Sequence, residues 1–309
     1  MVYPMKLTPV FKDYLWGGTN LKKIFSGMSG MDRIAESWVL SAHPEGVTVI
    51  GNGAYAGMGL GDFVKKNGPE ILGSDAASGE LPLICKWIDA ADNLSVQVHP
   101  DNGYALAYEG QTGKIEAWYV VDCEPGAEMY FGFNRKLSRE EFEKRAKDGT
   151  IVEDLNRVSA RPGEVCFIDS GVVHGIGKGM TVVEIGSNCN VTYRIYDYLR
   201  KDDRGNPRQL HIKKAADVIR LDVREEVLFE NNGVFDCRDF RMQKIELDGI
   251  MELNAGSESF HSLICVEGSF SLLSDGMESA AVKGASFFLP AGMGTYLLRG
   301  NAVLIKTTV

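Results

Sequence analysis

No run in this 309-residue sequence approaches the roughly 18 uninterrupted apolar residues that a membrane-spanning helix requires. The opening Met1-Val2-Tyr3-Pro4-Met5-Lys6-Leu7 lacks the charged-then-apolar pattern of a secretion signal, so the default expectation is a cytoplasmic protein without a membrane partner. Basic side chains are in the minority, 33 Lys and Arg against 42 Asp and Glu, for a net charge of −9. That balance argues against nucleic acid as the main partner, because a polyanion binder needs a basic stripe to displace counterions. Any phosphate bound here must meet a local basic pocket. Cysteine is sparse and scattered, at 85, 123, 166, 189, 237 and 265, with no Cys-x-x-Cys pair. This excludes a disulfide scaffold and predicts reduced, mostly buried thiols.

What is present reads as an ordinary globular chain, 44% hydrophobic and 24% charged, long enough for one large core or two unequal ones. The 35 glycines and the short apolar runs between turn residues predict a mainly β protein. Two consecutive strands are expected within 82–98, then strands at 117–122, 164–169, 181–185 and 191–196, and a later cluster at 262–267, 270–274 and 285–289. Such a set suggests a sandwich or barrel. Helices are few. Ser138 and Glu141 form a capping box ahead of a charged amphipathic helix over 138–147, and Ile212, Ala215, Ala216 and Ile219 share one face of a second over 211–219. The stretch 220–235 is charged and polar, which divides the chain into a domain of residues 1–220 and a smaller β module, 221–309. Pro290-Ala291-Gly292 in the later part echoes Pro162-Gly163 in the earlier one and hints at a duplicated module.

The chemistry-bearing residues lie in the first part. In Leu94-Ser95-Val96-Gln97-Val98-His99 the strand period of two puts Ser95, Gln97 and His99 on one face. If that face lines a polar cavity, Gln97 and His99 can offer an amide oxygen and an imidazole nitrogen to one ion, although the pair alone fits local hydrogen bonding equally well. In Gly113-Lys114-Ile115-Glu116-Ala117-Trp118 a cation, a carboxylate and an aromatic share a face. Solvated surface charge is the plain alternative, weakened by the company of Trp118.

Arg161-Pro162-Gly163-Glu164-Val165-Cys166-Phe167-Ile168-Asp169-Ser170-Gly171-Val172-Val173-His174 places a Pro-Gly turn, a short strand, a tight Gly turn and then a histidine. This resembles the second motif of the cupin superfamily, with Asp169 where proline is usual, and implies that His174 is an inward metal ligand. Ser95-x-Gln97-x-His99-Pro100-Asp101 followed by Lys114-x-Glu116 resembles, more narrowly, the type I mannose-6-phosphate isomerases. The likeness extends to Leu15-Trp16-Gly17-Gly18, Ala35-Glu36-Ser37-Trp38, residues 82–86 and 182–200, and Leu289-Pro290-Ala291-Gly292. It implies a cupin, or jelly-roll, β-barrel with a few helices and a second, smaller cupin-like module. It also implies a single zinc ion per chain on Gln97, His99, Glu116 and His174. The expected reaction interconverts mannose 6-phosphate and fructose 6-phosphate through an enediol.

The sequence departs from general cupins in having Gln97 in place of a first histidine and Glu116 17 positions after His99, with an inserted helix or loop between. Only residues 117–173 separate Glu116 from His174, as in the short bacterial form of the family. Glu184 and Arg194 fall where the family has a glutamate and an essential arginine. Arg194, always charged, suits a stabiliser of the enediolate or a phosphate ligand. Glu184, Lys114 and His99 have comparable claims as the base. Ser95, Lys86 and Arg200, by position in the family pattern, and Lys114 are the candidates for binding the sugar phosphate, and Trp16 is either core or sugar-stacking. No ligand set surrounds His261, so the later module is expected to hold no metal. Two other readings stay open: a metal-dependent cupin dioxygenase, whose count of two histidines and a carboxylate is also met, and a non-enzymatic sugar-sensing cupin. Whether the chain forms a homo-oligomer is open as well.

Overall fold

The computed structural model describes residues 2–76, 79–202, 204–223, 229–230 and 233–309. Two antiparallel sheets face one another in the first part. The larger carries Leu83–Ala90, Met180–Ser187, Glu116–Cys123 and Val165–Ile168 side by side, flanked by Glu36–Leu40 and Val10–Lys12 at one edge and Phe229–Glu230 at the other. The smaller runs Tyr193–Tyr196, Val96–Val98, His174–Ile176, Glu128–Phe133 and Leu155–Ser159. This is the jelly-roll architecture that the sequence led us to expect.

Alternation along the strands sorts the side chains into layers. Cys85, Trp87, Ala117, Tyr119, Val183 and Ile185 point outward into a core shared with Phe260, Ile264, Phe288 and Ile305 of the C-terminal part. Ile88, Trp118, Val120 and Val182 point inward to meet Met129, Phe131 and Ile176 of the smaller sheet. Val96 and Val98 face the other way and pack with Phe142, Ala146, Ala215 and Ala216 of the helices Arg139–Asp148 and Ile212–Val218. Each fully buried Val or Phe contributes about 1.5–3 kcal/mol, so these layers hold the small sheet firmly although its central strands are only three residues long.

The Arg139–Asp148 helix begins at the expected capping box, Ser138 Oγ accepting from Glu141 N and Glu141 accepting from Ser138 N. The insertion after His99 is a helix, Asn102–Tyr108, started by Asp101. The helix Leu60–Asn67 was not anticipated, since its apolar face, Leu60, Phe63 and Val64, is short. No helix is long and apolar enough to cross a membrane, and no disulfide joins the cysteines among the described residues.

The C-terminal sheet is built on two 15-residue strands, Arg241–Ala255 and Gly294–Thr308, paired over their full length. The sequence masks the first of these, because Asp248-Gly249 at its middle reads as a turn and half its residues are polar. The two strands expected at 262–267 and 270–274 are one, His261–Ser274, with a register shift between Cys265 and Glu267. Met5–Thr8 and Val49–Ile50 complete this sheet, Met5 lying opposite Phe288. Strands from both sides of residue 220 therefore build it, and the division of the chain there stands as a proposal about modules. Part of the polar stretch 220–235 lies outside the described residues.

The loop leaving His174–Ile176 passes so close to the neighbouring strand that a Cβ on Gly177 would lie 1.8 Å from the Glu128 carbonyl oxygen. Gly177→Ala is expected to lower the unfolding free energy by about 2–3 kcal/mol, measured by denaturant titration, since backbone rather than a side chain must yield.

Candidate metal centre and cavity

His99 follows the Val96–Val98 strand and His174 opens the strand beside it, while Glu116 opens a strand of the facing sheet. Gly171 locks these together. Its N–H donates to the His99 carbonyl (2.9 Å), and its φ of +80° and the Val218 carbonyl 2.8 Å from any Cβ demand glycine. Asp169, where proline is usual in the motif, holds the turn by accepting from Ser170 N and pairing with Arg220 (both 2.8 Å).

All three candidate ligands are buried: His99 1%, Glu116 0% and His174 0% exposed. Each imidazole donates through Nδ1 to a backbone carbonyl, His99 to Val191 and His174 to Val172, at 2.8 Å. A carbonyl only accepts, so Nδ1 carries the proton and Nε2 presents a lone pair. His174 is held neutral, pushed down to about 3 by burial and by the neighbouring His99. The two Nε2 atoms have no hydrogen-bond partner among the described residues. They lie 3.6 and 3.4 Å from the Glu116 carboxylate oxygens, and the ligand atoms are within 4.8 Å of one another. Lone pairs facing a carboxylate inside a barrel repel unless a cation lies among them, so the donor set fits a metal ion. It is the one such group of His, Cys, Asp and Glu among the described residues. Gln97 lies across the ladder from His174.

Lys114 sits beside this group, 5% exposed, with Nζ 2.5 Å from Glu116 Oε2 and 2.8 Å from Glu184 Oε1. Burial alone would lower its pKa, but the two carboxylates outweigh burial and hold the ammonium above the usual lysine range. Burial would likewise raise the Glu116 pKa, yet the Lys114 ammonium beside it keeps it well below the usual carboxylate value.

A cavity of about 230 Å³ opens next to the triad. Trp16, Lys86, Ser95, Gln97, Lys114, Glu184 and Arg194, singled out in the sequence, all line it. Lys86 Nζ lies 3.7 Å from Glu184 and 3.8 Å from Glu36, donates to Asn190 Oδ1 at 3.2 Å and stands 4.4 Å above the Trp38 ring. Arg200 is elsewhere: its guanidinium is committed to Asp197, Asn93 and Asp92 and does not line the cavity. Arg194 makes no ion pair among the described residues. Its Nη1 donates to Gln209 O at 2.9 Å, its Nε is buried without a partner, and burial and then the charge of Arg208 lower its pKa. His261, in the C-terminal sheet, bonds Tyr296 Oη at 2.8 Å and belongs to no ligand cluster.

Thr192, which alternation along residues 191–196 puts on the Arg194 face, lines the cavity too, whereas sequence reasoning assigned no role to Glu36, Asn190, Arg208 and Tyr14, which also line it. Alternation in Ala35-Glu36-Ser37-Trp38 could have found Glu36, which shares a face with Trp38 and accepts from its Nε1 at 2.7 Å. Nothing local marks Arg208, which reaches the cavity from a loop.

The sequence model of the phosphomannose isomerase type I catalytic domain matches residues 5–148, and that of the mannose-6-phosphate isomerase cupin domain matches residues 231–309. The probable mannose-6-phosphate isomerase GmuF of Bacillus subtilis (strain 168) is 36% identical over 314 residues, 97% of this chain and 98% of that protein. The mannose-6-phosphate isomerase ManA of the same organism is 35% identical over 312 residues, 98% of each. The crystal structure of the mannose 6-phosphate isomerase from Bacillus subtilis superposes with a TM-score of 0.90 at 32% identity, covering 99% of both chains.

Elemental analysis of dialysed variants tests the centre. His174→Ala, His99→Ala and Glu116→Gln are each expected to fall below about a tenth of an ion per chain, because a buried site missing one ligand cannot desolvate the ion. Gln97→Ala loses less, a neutral amide being the weakest donor, and His261→Ala keeps the parent's content. Full metal retention in His174→Ala would remove the assignment.

Proposed function

The chain belongs to the type I phosphomannose isomerase family and is a mannose-6-phosphate isomerase, and on that premise we propose that its reaction runs in the cavity beside His99, Glu116 and His174, with one zinc ion per chain and through an enediol. The observation that carries this reading is the convergence of two unpartnered imidazole Nε2 atoms on one buried carboxylate, next to a cavity lined by lysine and arginine. Two imidazoles, a carboxylate and the Gln97 amide suit a borderline ion such as zinc. When bound, zinc would supply Lewis-acid stabilisation of the oxygens of the reacting carbons. Family membership sets aside the dioxygenase and sugar-sensing alternatives.

Isomerisation moves one proton from C2 to C1 and one from the C2 hydroxyl to the C1 oxygen, so the cavity needs a group that takes and returns a proton. His99 and His174 are spoken for, each with Nδ1 on a carbonyl and Nε2 toward Glu116. Lys114 stays charged between its two carboxylates. Two carboxylates line the cavity; Glu36 accepts from Trp38 Nε1, whereas Glu184 stands beside the metal donors through Lys114, and we assign Glu184 the carbon-bound proton, with Lys114 and Lys86 holding it in place. Arg194, with a buried Nε that has no acceptor among the described residues, stabilises negative charge on the reacting substrate. Ser95, Lys86 and Trp16 line the space left for the sugar.

Isomerisation of mannose 6-phosphate should stop when the protein is freed of metal by a chelator and return on adding zinc. Full turnover by metal-free protein would overturn the zinc reading. Glu184→Gln is expected to lower kcat by about 10²- to 10⁴-fold and abolish exchange of the C2 hydrogen with solvent deuterium, with metal content unchanged. Arg194→Lys keeps the charge but not the planar fork, so kcat should drop while metal content and melting temperature stay at the parent's values. Parental kcat in that variant would end its catalytic role.

A further inference from the structure

Beyond the Tyr193–Tyr196 strand the chain turns through Tyr198 and Leu199, which adopt φ of +54° and +55° although neither is glycine. Such a backbone persists only where its surroundings fix it. Here the fixing group is Asp197, whose carboxylate is 5% exposed. Arg200 donates to it through Nη2 at 2.6 Å and spends its other nitrogens on the carbonyls of Asp197 and Asn93. Arg208 lies along the same carboxylate in fork geometry, Nε to Oδ2 at 2.7 Å and Nη2 to Oδ1 at 2.5 Å. Its Nη1 has no partner among the described residues, its side chain is 22% exposed, and it lines the same cavity as Arg194. Asp197, with Asp92 3.5 Å from Arg200, thus answers two guanidiniums, while Arg194 beside them makes no ion pair among the described residues. This end of the cavity has a surplus of positive charge and unused donors, in a protein of net charge −9.

We propose that Arg208, rather than Arg200, grips the phosphate of the sugar phosphate, its Nη1 edge turned to the cavity while Asp197 holds its other edge. The assignment rests on the function proposed above and extends it to a residue that lies outside the family motif. A guanidinium already fixed by a carboxylate loses little freedom on binding and presents a planar donor edge that suits phosphate. Arg200 holds the turn from behind.

The test uses full-length, metal-loaded protein. Arg208→Lys keeps a charge on Asp197 but cannot serve both carboxylate and phosphate. Its KM for mannose 6-phosphate and its Ki for inorganic phosphate as a competitive inhibitor should rise together by about 10- to 100-fold, with kcat within a few-fold of the parent. Metal content and melting temperature should match the parent. Unchanged KM and Ki overturn the proposal, and so does a rise in Ki for Arg200→Lys as large as that for Arg208→Lys. Should the variant not fold, phenylglyoxal modification of the parent, mapped by peptide mass spectrometry, decides. Protection of Arg208 by inorganic phosphate supports the assignment, and modification at the same rate with and without phosphate overturns it. A parent that fails to isomerise mannose 6-phosphate would refute the proposed function itself, whereas an active parent with an indifferent Arg208→Lys variant refutes only the phosphate grip.

Discussion

Lys114 held between Glu116 and Glu184 is the contact on which the centre depends. Three charges share a volume from which water is excluded, and removing one partner of such a set costs about 3–5 kcal/mol because it strands the others. The arrangement is worth having because each charge does a separate job. Lys114 keeps Glu116 ionised and turned toward two imidazoles, and the same ammonium fixes Glu184 on the cavity wall. With Glu36, Glu116 and Glu184 against Lys86 and Lys114, the carboxylates outnumber the ammonium groups by one, and both imidazoles are donors of lone pairs. A divalent cation is what this set of side chains is built to receive.

Much of this was legible in the sequence because the strand period is rigid. Ser95, Gln97 and His99, and Lys114, Glu116 and Trp118, are assigned to common faces by alternation alone, and the Gly163 to Gly171 to His174 spacing fixes where the last histidine enters. The capping box at Ser138 is equally local. The misses have equally physical causes. Arg241–Ala255 hides a long strand behind an Asp-Gly pair that local turn chemistry would favour, and only 15 residues of pairing with Gly294–Thr308 override it. Arg208 reaches the cavity through Asp197, a long-range ion pair with no sequence period. That Glu184 meets Lys114 was not legible, because the Met180–Ser187 strand brings it from 70 residues away along the chain.

The C-terminal sheet supports the centre without joining it. Its Phe288, Ile264 and Ile305 pack against the outward residues of the same strands whose inward residues are Lys86, Glu116 and Glu184. A shift of those strands by one residue would send every charge into the shared apolar core. The outer packing therefore sets the register on which the inner chemistry relies, and the Met5–Thr8 strand, paired with Ser286–Leu289, ties the start of the chain to the C-terminal sheet through backbone hydrogen bonds.

Register also gives the cavity a direction. In the small sheet His174, Gln97 and Arg194 are successive neighbours across three strands. In the facing sheet Trp118, Glu184 and Lys86 form a similar row. Neighbouring strands lie about 4.8 Å apart, so the backbone positions of His174 and Arg194 are separated by about 10 Å, with Arg208 brought in beside Arg194. The metal donors stand at one end of the small sheet's row and the surplus guanidinium charge at the other. An open-chain sugar phosphate carries its reacting carbons and its phosphate at opposite ends. With the roles proposed for His174 and Arg208, the strand spacing matches a substrate lying with its reacting carbons toward His174 and its phosphate toward Arg208, whereas the reverse would press the phosphate against the Glu116 carboxylate.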